Sequence, residues 1–229
     1  MMLLDILNQV VDIDTDIFLS INRMHSPFFD YFMSAYSGKW IWVPMYAAIF
    51  FVMVRNFDWK VTVICTISLT LVIVFADQVS ATLIRPLVER MRPSNPDNPL
   101  SEMVHIVNNH RGGRYGFPSC HSANTFALAF FVSMLYRRRW LTAFLMFWAL
   151  LTCYSRIYLG VHYPGDLLAG CVIGFIGAFF IYRIFQKVSG VTYPKRFDGY
   201  LVPVFVGLVT IVFIFISACV MCMSAFDIH

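Results

Sequence analysis

Three polar clusters interrupt an otherwise apolar chain: Arg85-x6-Arg92-Pro93, Pro118-Ser119-Cys120-His121 and Ser155-Arg156-x5-His162-x3-Asp166. Three guanidinium groups drawn from separate segments can surround a group with several anionic oxygens, because their planar forks match phosphate geometry. Ser119 stands where an N-cap would be, and His121 falls in the first turn of the helix that follows. A helix start adds free backbone N–H groups and the positive end of the dipole, which also suit phosphate. Two histidines supply chemistry that arginine cannot. One imidazole attacks phosphorus, and a second protonates the leaving oxygen. Asp166 lies four residues after His162, close enough to accept from its second ring nitrogen and fix the attacking tautomer. Pro164 stands between them, so helical spacing does not give their separation. Together these residue types describe a histidine-based phosphatase.

The three clusters, in this order and with these internal spacings, resemble the signature of the type 2 phosphatidic acid phosphatases, the lipid phosphate phosphatase family. Its pattern runs Lys-x6-Arg-Pro, Pro-Ser-Gly-His and Ser-Arg-x5-His-x3-Asp, and the resemblance spans residues 85 to 166. It implies a six-helix membrane bundle in which His162 becomes a phosphohistidine, Asp166 orients it, and His121 protonates the leaving group and then activates water. Arg85, Arg92, Ser119 and Arg156 would bind the phosphate. No metal or other cofactor is implied, and the three arginines would take the place of a metal clamp. Two positions depart from the pattern. Arg85 stands at the family's lysine, and Cys120 replaces the glycine before the histidine. Cysteine can still offer the backbone N–H that the glycine would, provided φ there is negative.

The elements that position these residues follow from composition. Of 229 residues, 59% are hydrophobic and only 13% charged, half the charge of a soluble domain, which points to lipid as the solvent. Disorder is excluded by the same numbers, and the Lys and Arg form no long run of the kind nucleic acid attracts. The fold class expected is all-α: a single polytopic domain with six membrane spans of about 20 residues each. The spans fall at Val61–Ile84, Ser122–Tyr136, Leu141–Arg156, Leu167–Phe185, Tyr200–Met223 and Trp40–Val54, the last extending upstream toward Phe28. Residues 1–27, with Asp5, Asp12, Asp14 and Asp16 among Leu, Ile, Val and Phe, read as an amphipathic segment at the interface. No basic region precedes the first apolar run, so a cleaved signal peptide is not expected. The loop over 86–118 is the longest stretch without an apolar run and is expected to be functional and extracytoplasmic.

Six spans put all three clusters at one membrane face. Lys and Arg number nine in the links on one side, including Arg137, Arg138, Arg139, Lys195 and Arg196, and eight on the other; setting aside Arg85, Arg92 and Arg156 as site residues makes this nine to five. The Arg137-Arg138-Arg139 run then lies in the cytoplasm as a topology anchor, with the site on the outer face of a bacterial inner membrane. Candidate substrates are undecaprenyl pyrophosphate, phosphatidylglycerol phosphate, phosphatidic acid and the phosphates of lipid A. A transporter of phosphorylated lipids and a metal-dependent hydrolase using His121, His162 and Asp166 as ligands are the competing readings. No nucleic-acid partner is expected, and an oligomer is not required.

Other residues take blander roles. The cysteines inside apolar runs (Cys65, Cys153, Cys171, Cys219, Cys222) read as packing residues. Asp77 requires a partner inside the bundle. Gly170, Gly174, Gly177 and Ala178 form a small-residue face for close helix approach. Trp40, Trp42, Trp59 and Trp140 fit an interfacial belt. His105 and His110 carry no role beyond headgroup contact, and His25 and His229 are read as solvated.

Overall fold

In the computed structural model, which describes residues 2–192, 194 and 198–226, the chain is all-helical. Lys195, Arg196 and His229 lie outside the described residues. The helices are α1 (Met2–Asn22), α2 (Pro27–Tyr36), α3 (Val43–Asn56), α4 (Trp59–Gln78), the single turn α5 (Arg85–Val88), α6 (Cys120–Tyr136), α7 (Arg139–Tyr158), α8 (Pro164–Ser189) and α9 (Val202–Phe226). The starts are written locally. Ser26 caps α2 ahead of Pro27, Asp58 accepts from the Val61 N–H at 3.0 Å to cap α4, and Ser119 caps α6. Segment α4 passes through a π-helical stretch, Val79–Ile84, into α5, so Trp59–Val88 is one 30-residue helical run with Arg85 in its last turn.

Among the described residues, four helices are long and apolar enough to cross a membrane: Trp59–Val88, Arg139–Tyr158, Pro164–Ser189 and Val202–Ser224. A fifth crossing results if α2 and the Trp40–Asn56 segment, bent by 66° at Ser37-Gly38-Lys39, form one span. On α9, Phe205, Val209, Val212, Phe213 and Ile216 are each more than half exposed, an outward apolar face that suits a lipid surround. The protein is a membrane protein.

Helices α6 and α8 make the most intimate contact, with α4 and α7 packed alongside, while α9 covers α2 and α3. The small-residue face explains the first contact. A Cβ added at Gly170 would lie 2.5 Å from the Ser119 carbonyl oxygen, and one at Gly174 would lie 2.6 Å from that of Ala123. The glycines therefore serve packing within one molecule. Cys65 and Cys153 are buried in the same bundle, and Asp77 finds its partner in Asn124, whose Nδ2 is 3.4 Å from Oδ1. One belt residue is corrected. Trp40, Trp59 and Trp140 are exposed, but Trp42 is buried, donating its indole N–H to the Tyr36 carbonyl and packing edge-on against Trp148. It follows the chain's bend and so turns inward.

The 86–118 loop is organised. Met91 and Tyr115 form a bridge, with Arg92 N–H donating to Arg114 O (3.1 Å) and Gly116 N–H to Arg90 O (2.9 Å). Within it His105 bonds Asp30 at 2.8 Å and stacks on the exposed ring of His25 at 3.7 Å.

Candidate active site

The turn between α7 and α8 carries His162, which is 1% exposed. Tyr163 caps α8, Pro164 occupies its first position, and Asp166 sits at the third, with its Oδ2 accepting from the Tyr163 N–H at 3.1 Å. The same Oδ2 lies 3.3 Å from His162 Nδ1. The proline that obscured the spacing thus starts the helix that presents the aspartate. On the other side of the ring, Arg92 Nη1 approaches His162 Nε2 at 2.9 Å. A guanidinium can only donate, so Nε2 offers its lone pair and the ring proton resides on Nδ1, facing the carboxylate. Burial, then the positive charges of Arg92, Arg156 and Arg85, hold the His162 imidazole well below the usual histidine range. Neutral imidazole with a free Nε2 lone pair is the form able to act as a nucleophile.

The arginines predicted from sequence converge on this turn. Arg92 is fixed by the Tyr115 carbonyl (Nε, 3.2 Å) and the Val161 carbonyl (Nη1, 3.1 Å). Burial and the like charge of Arg85 lower its pKa to about 10, which leaves it charged at neutral pH. Arg85 donates from Nη2 to the Pro118 carbonyl at 2.9 Å and to the Cys120 sulfur at 3.0 Å. Arg156 donates to the Ser37 hydroxyl at the α2–α3 bend. The Nε groups of Arg85 and Arg156 are buried and have no hydrogen-bond partner among the described residues. Such donors suit an oxygen-rich anion.

Helix α6 starts beside them. Ser119, fully buried, accepts from the Ser122 N–H and donates its own N–H to the Asp166 carbonyl at 3.0 Å, which ties the first turns of α6 and α8 together. One residue on, Cys120 is in helical conformation, so the position does not require glycine. His121 lies at the rim of two cavities. The first, about 540 Å³, runs down between α3, α4, α6 and α7, past Cys120, Asp77 and Asn124 to Met53, with the half-exposed Phe50 in its wall. The second, about 440 Å³, joins His121 to Arg156, Ser37 and His110. Among the described residues no three His, Cys, Asp or Glu side chains converge as a metal site would require.

Sequence reasoning missed Arg90 and Ser37. Arg90 pairs with Asp166 Oδ1 at 3.0 Å and lies 3.9 Å over the Tyr163 ring. It sits between two motif arginines with nothing in its spacing to mark it, and Ser37 is one of many short polar residues.

Comparison with known proteins gives a consistent family. The model of the PAP2 superfamily matches residues 61–189. The chain is 53% identical to the lipid A 4′-phosphatase of Bacteroides thetaiotaomicron over 178 residues, 78% of this chain and 79% of the relative. It is 33% identical to the lipid A 4′-phosphatase of Porphyromonas gingivalis, over 77% of this chain and 74% of the relative. The crystal structure of Aquifex aeolicus LpxE shares the fold, with a TM-score of 0.56 and 22% identity, covering 74% of this chain and 94% of that one.

Proposed function

The chain belongs to the PAP2 superfamily and is a membrane lipid phosphatase, and from that premise we propose that it removes the 4′-phosphate of lipid A through a phosphohistidine at His162. The observation that carries the mechanism is the placing of His162 between Asp166 and Arg92, which leaves Nε2 unprotonated. The choice of substrate rests on the two lipid A 4′-phosphatases among the relatives.

In this mechanism the phosphate enters among Arg85, Arg92, Arg156 and the start of α6, where Ser119 and the Cys120 N–H add donors. Arg92 transfers its hydrogen bond from Nε2 to a phosphate oxygen, which frees the lone pair. Nε2 attacks phosphorus as the bond to the sugar oxygen breaks, and His121 gives that oxygen a proton. Asp166 stabilises the positive charge that grows on the ring. Water, deprotonated by His121, then cleaves the P–N bond and releases inorganic phosphate. The arginines supply the charge stabilisation, so no metal is needed.

The setting is read the same way. The 17-residue α6, ~25 Å long at 1.5 Å per residue, is the sixth span beside the four long helices and the bent α2–α3 pair. The whole chain is one domain, residues 1–27 lie at the interface, and the 86–118 loop covers the site on the periplasmic face of the inner membrane.

The test is phosphate release by the detergent-purified protein, with excess chelator, from lipid A, undecaprenyl pyrophosphate, phosphatidic acid and phosphatidylglycerol phosphate. The expected result is one phosphate released from lipid A, and a loss on the order of a thousandfold or more in His162→Ala. Full activity in His162→Ala overturns the mechanism. Abolition by chelator overturns metal independence, and faster cleavage of another lipid overturns the substrate.

A further inference from the structure

Helix α1 lies outside the stretch that the family model matches, residues 61–189. Yet one face of it docks on the turn that carries His162. Asp14, Phe18 and Asn22, spaced four residues apart, share that face. Asn22 is fully buried. It donates from Nδ2 to the Tyr158 carbonyl (2.8 Å) at the end of α7 and accepts at Oδ1 from the His105 N–H (2.8 Å). Phe18, also fully buried, meets the Tyr163 ring edge-on at 5.2 Å.

Asp14 makes the contacts closest to the chemistry. Its Oδ1 accepts from the Gly165 N–H at 2.7 Å, at the free N–H groups that open α8. Its Oδ2 pairs with Arg90 Nη2 at 2.7 Å. Arg90 uses its other terminal nitrogen on Asp166, and Asp166 faces His162. The approach is tight, since a Cβ on Gly165 would lie 2.9 Å from Asp14 Oδ2. The side chains of Asp14 and Arg90 are only 12% and 22% exposed, so water screens this pair less than a surface one.

We propose that Asp14 is a positioning residue for the phosphatase reaction, holding Arg90 so that Arg90 fixes the Asp166 carboxylate that orients His162. This rests on the reading of His162 as the nucleophile. Without Asp14, Arg90 is free to swing toward solvent or to pair both nitrogens with Asp166, and either change moves the carboxylate relative to Nδ1. Displacements of this size in a reacting constellation cost rate more than binding. The acidic residues near the N-terminus thus divide, with Asp14 serving the site from a helix that sequence reading assigned only to the interface.

The test uses the full chain in detergent and a double-mutant cycle. Asp14→Asn keeps an oxygen for the Gly165 N–H and removes only the charge that holds Arg90. Its kcat on lipid A is expected to fall roughly ten- to a hundredfold with KM within about twofold. In an Arg90→Gln background the same substitution is expected to add no further loss. A merely structural effect, in which less protein folds, would persist in both backgrounds. A second readout needs no substrate: the low-field proton resonance of His162 Nδ1–H, assigned by its absence in His162→Ala, is expected to shift in Asp14→Asn. Unchanged kcat with an unchanged resonance overturns the proposal, and so does an equal loss in both backgrounds. If His162→Ala retains activity, the nucleophile reading fails instead, and the resonance still decides whether Asp14 positions the imidazole.

Discussion

At the scale of single residues, the arrangement around His162 makes a statement about pH. Folding buries the imidazole among Arg92, Arg156 and Arg85 and lowers its pKa well below 6.5. The unfolded chain takes up a proton on this residue near 6.5, which the folded chain refuses, so the unfolded state binds more protons as pH falls. Stability is therefore present above about 6.5 and is lost below it, at up to ~1.4 kcal/mol per pH unit for one group. Thermal midpoints recorded from pH 7.5 to 5 are expected to fall in the wild type and to fall less steeply in His162→Gln. A parallel slope in the two proteins would mean that other groups set the acid limit. The residues that do this were legible in the sequence, because a charge in an apolar chain needs a reason and the three clusters share internal spacings with a known family. Arg90 and Asp14 were not legible. Their partnership joins positions 76 residues apart for Arg90 and Asp166, and 151 apart for Asp14 and Gly165, and no periodicity reports contacts of that range.

At the scale of elements, the site depends on how closely α6 and α8 approach, since α6 contributes Ser119 and His121 and α8 contributes Asp166. Gly174→Ala would set a methyl 2.6 Å from the Ala123 carbonyl and 2.8 Å from the Ala127 nitrogen, both backbone atoms that cannot swing aside. The expected cost is about 1–3 kcal/mol of stability, read as a lower thermal midpoint in detergent together with reduced phosphate release. Gly113→Ala, which meets nothing within 4 Å, is the control and is expected to leave the midpoint unchanged. Long apolar runs announced α4, α7, α8 and α9, and the glycine spacing announced a close helix approach on α8 without naming α6 as the partner. The 66° bend between α2 and the Trp40–Asn56 segment was not announced, because an apolar run on both sides of Ser37-Gly38-Lys39 reads as one continuous stretch. Missing the bend also misplaced Trp42, which the turn carries inward to Trp148.

For the whole molecule, the proposed topology separates two sets of positions. In a variant with its native cysteines removed, a thiol at Gly113 in the loop is expected to react with a membrane-impermeant reagent on intact cells whose outer membrane has been permeabilised. A thiol at Lys187, near the end of α8, is expected to react only after the inner membrane is opened. The reverse pattern would invert the molecule and put the site in the cytoplasm. Composition gave the membrane setting, whereas the cavity between α3, α4, α6 and α7 came from helix packing that no linear pattern encodes. That cavity runs from His121 along Asp77 and Asn124 to Met53, and the half-exposed ring of Phe50 forms part of its wall. Under the proposed function, a target lipid enters this cavity and reaches His121 by lateral diffusion within its own leaflet. The quantity that sets turnover is then the number of such lipids per unit area of membrane. Spreading the same lipids among inert neighbours slows the enzyme, while diluting the suspension around the membrane leaves each encounter as frequent as before.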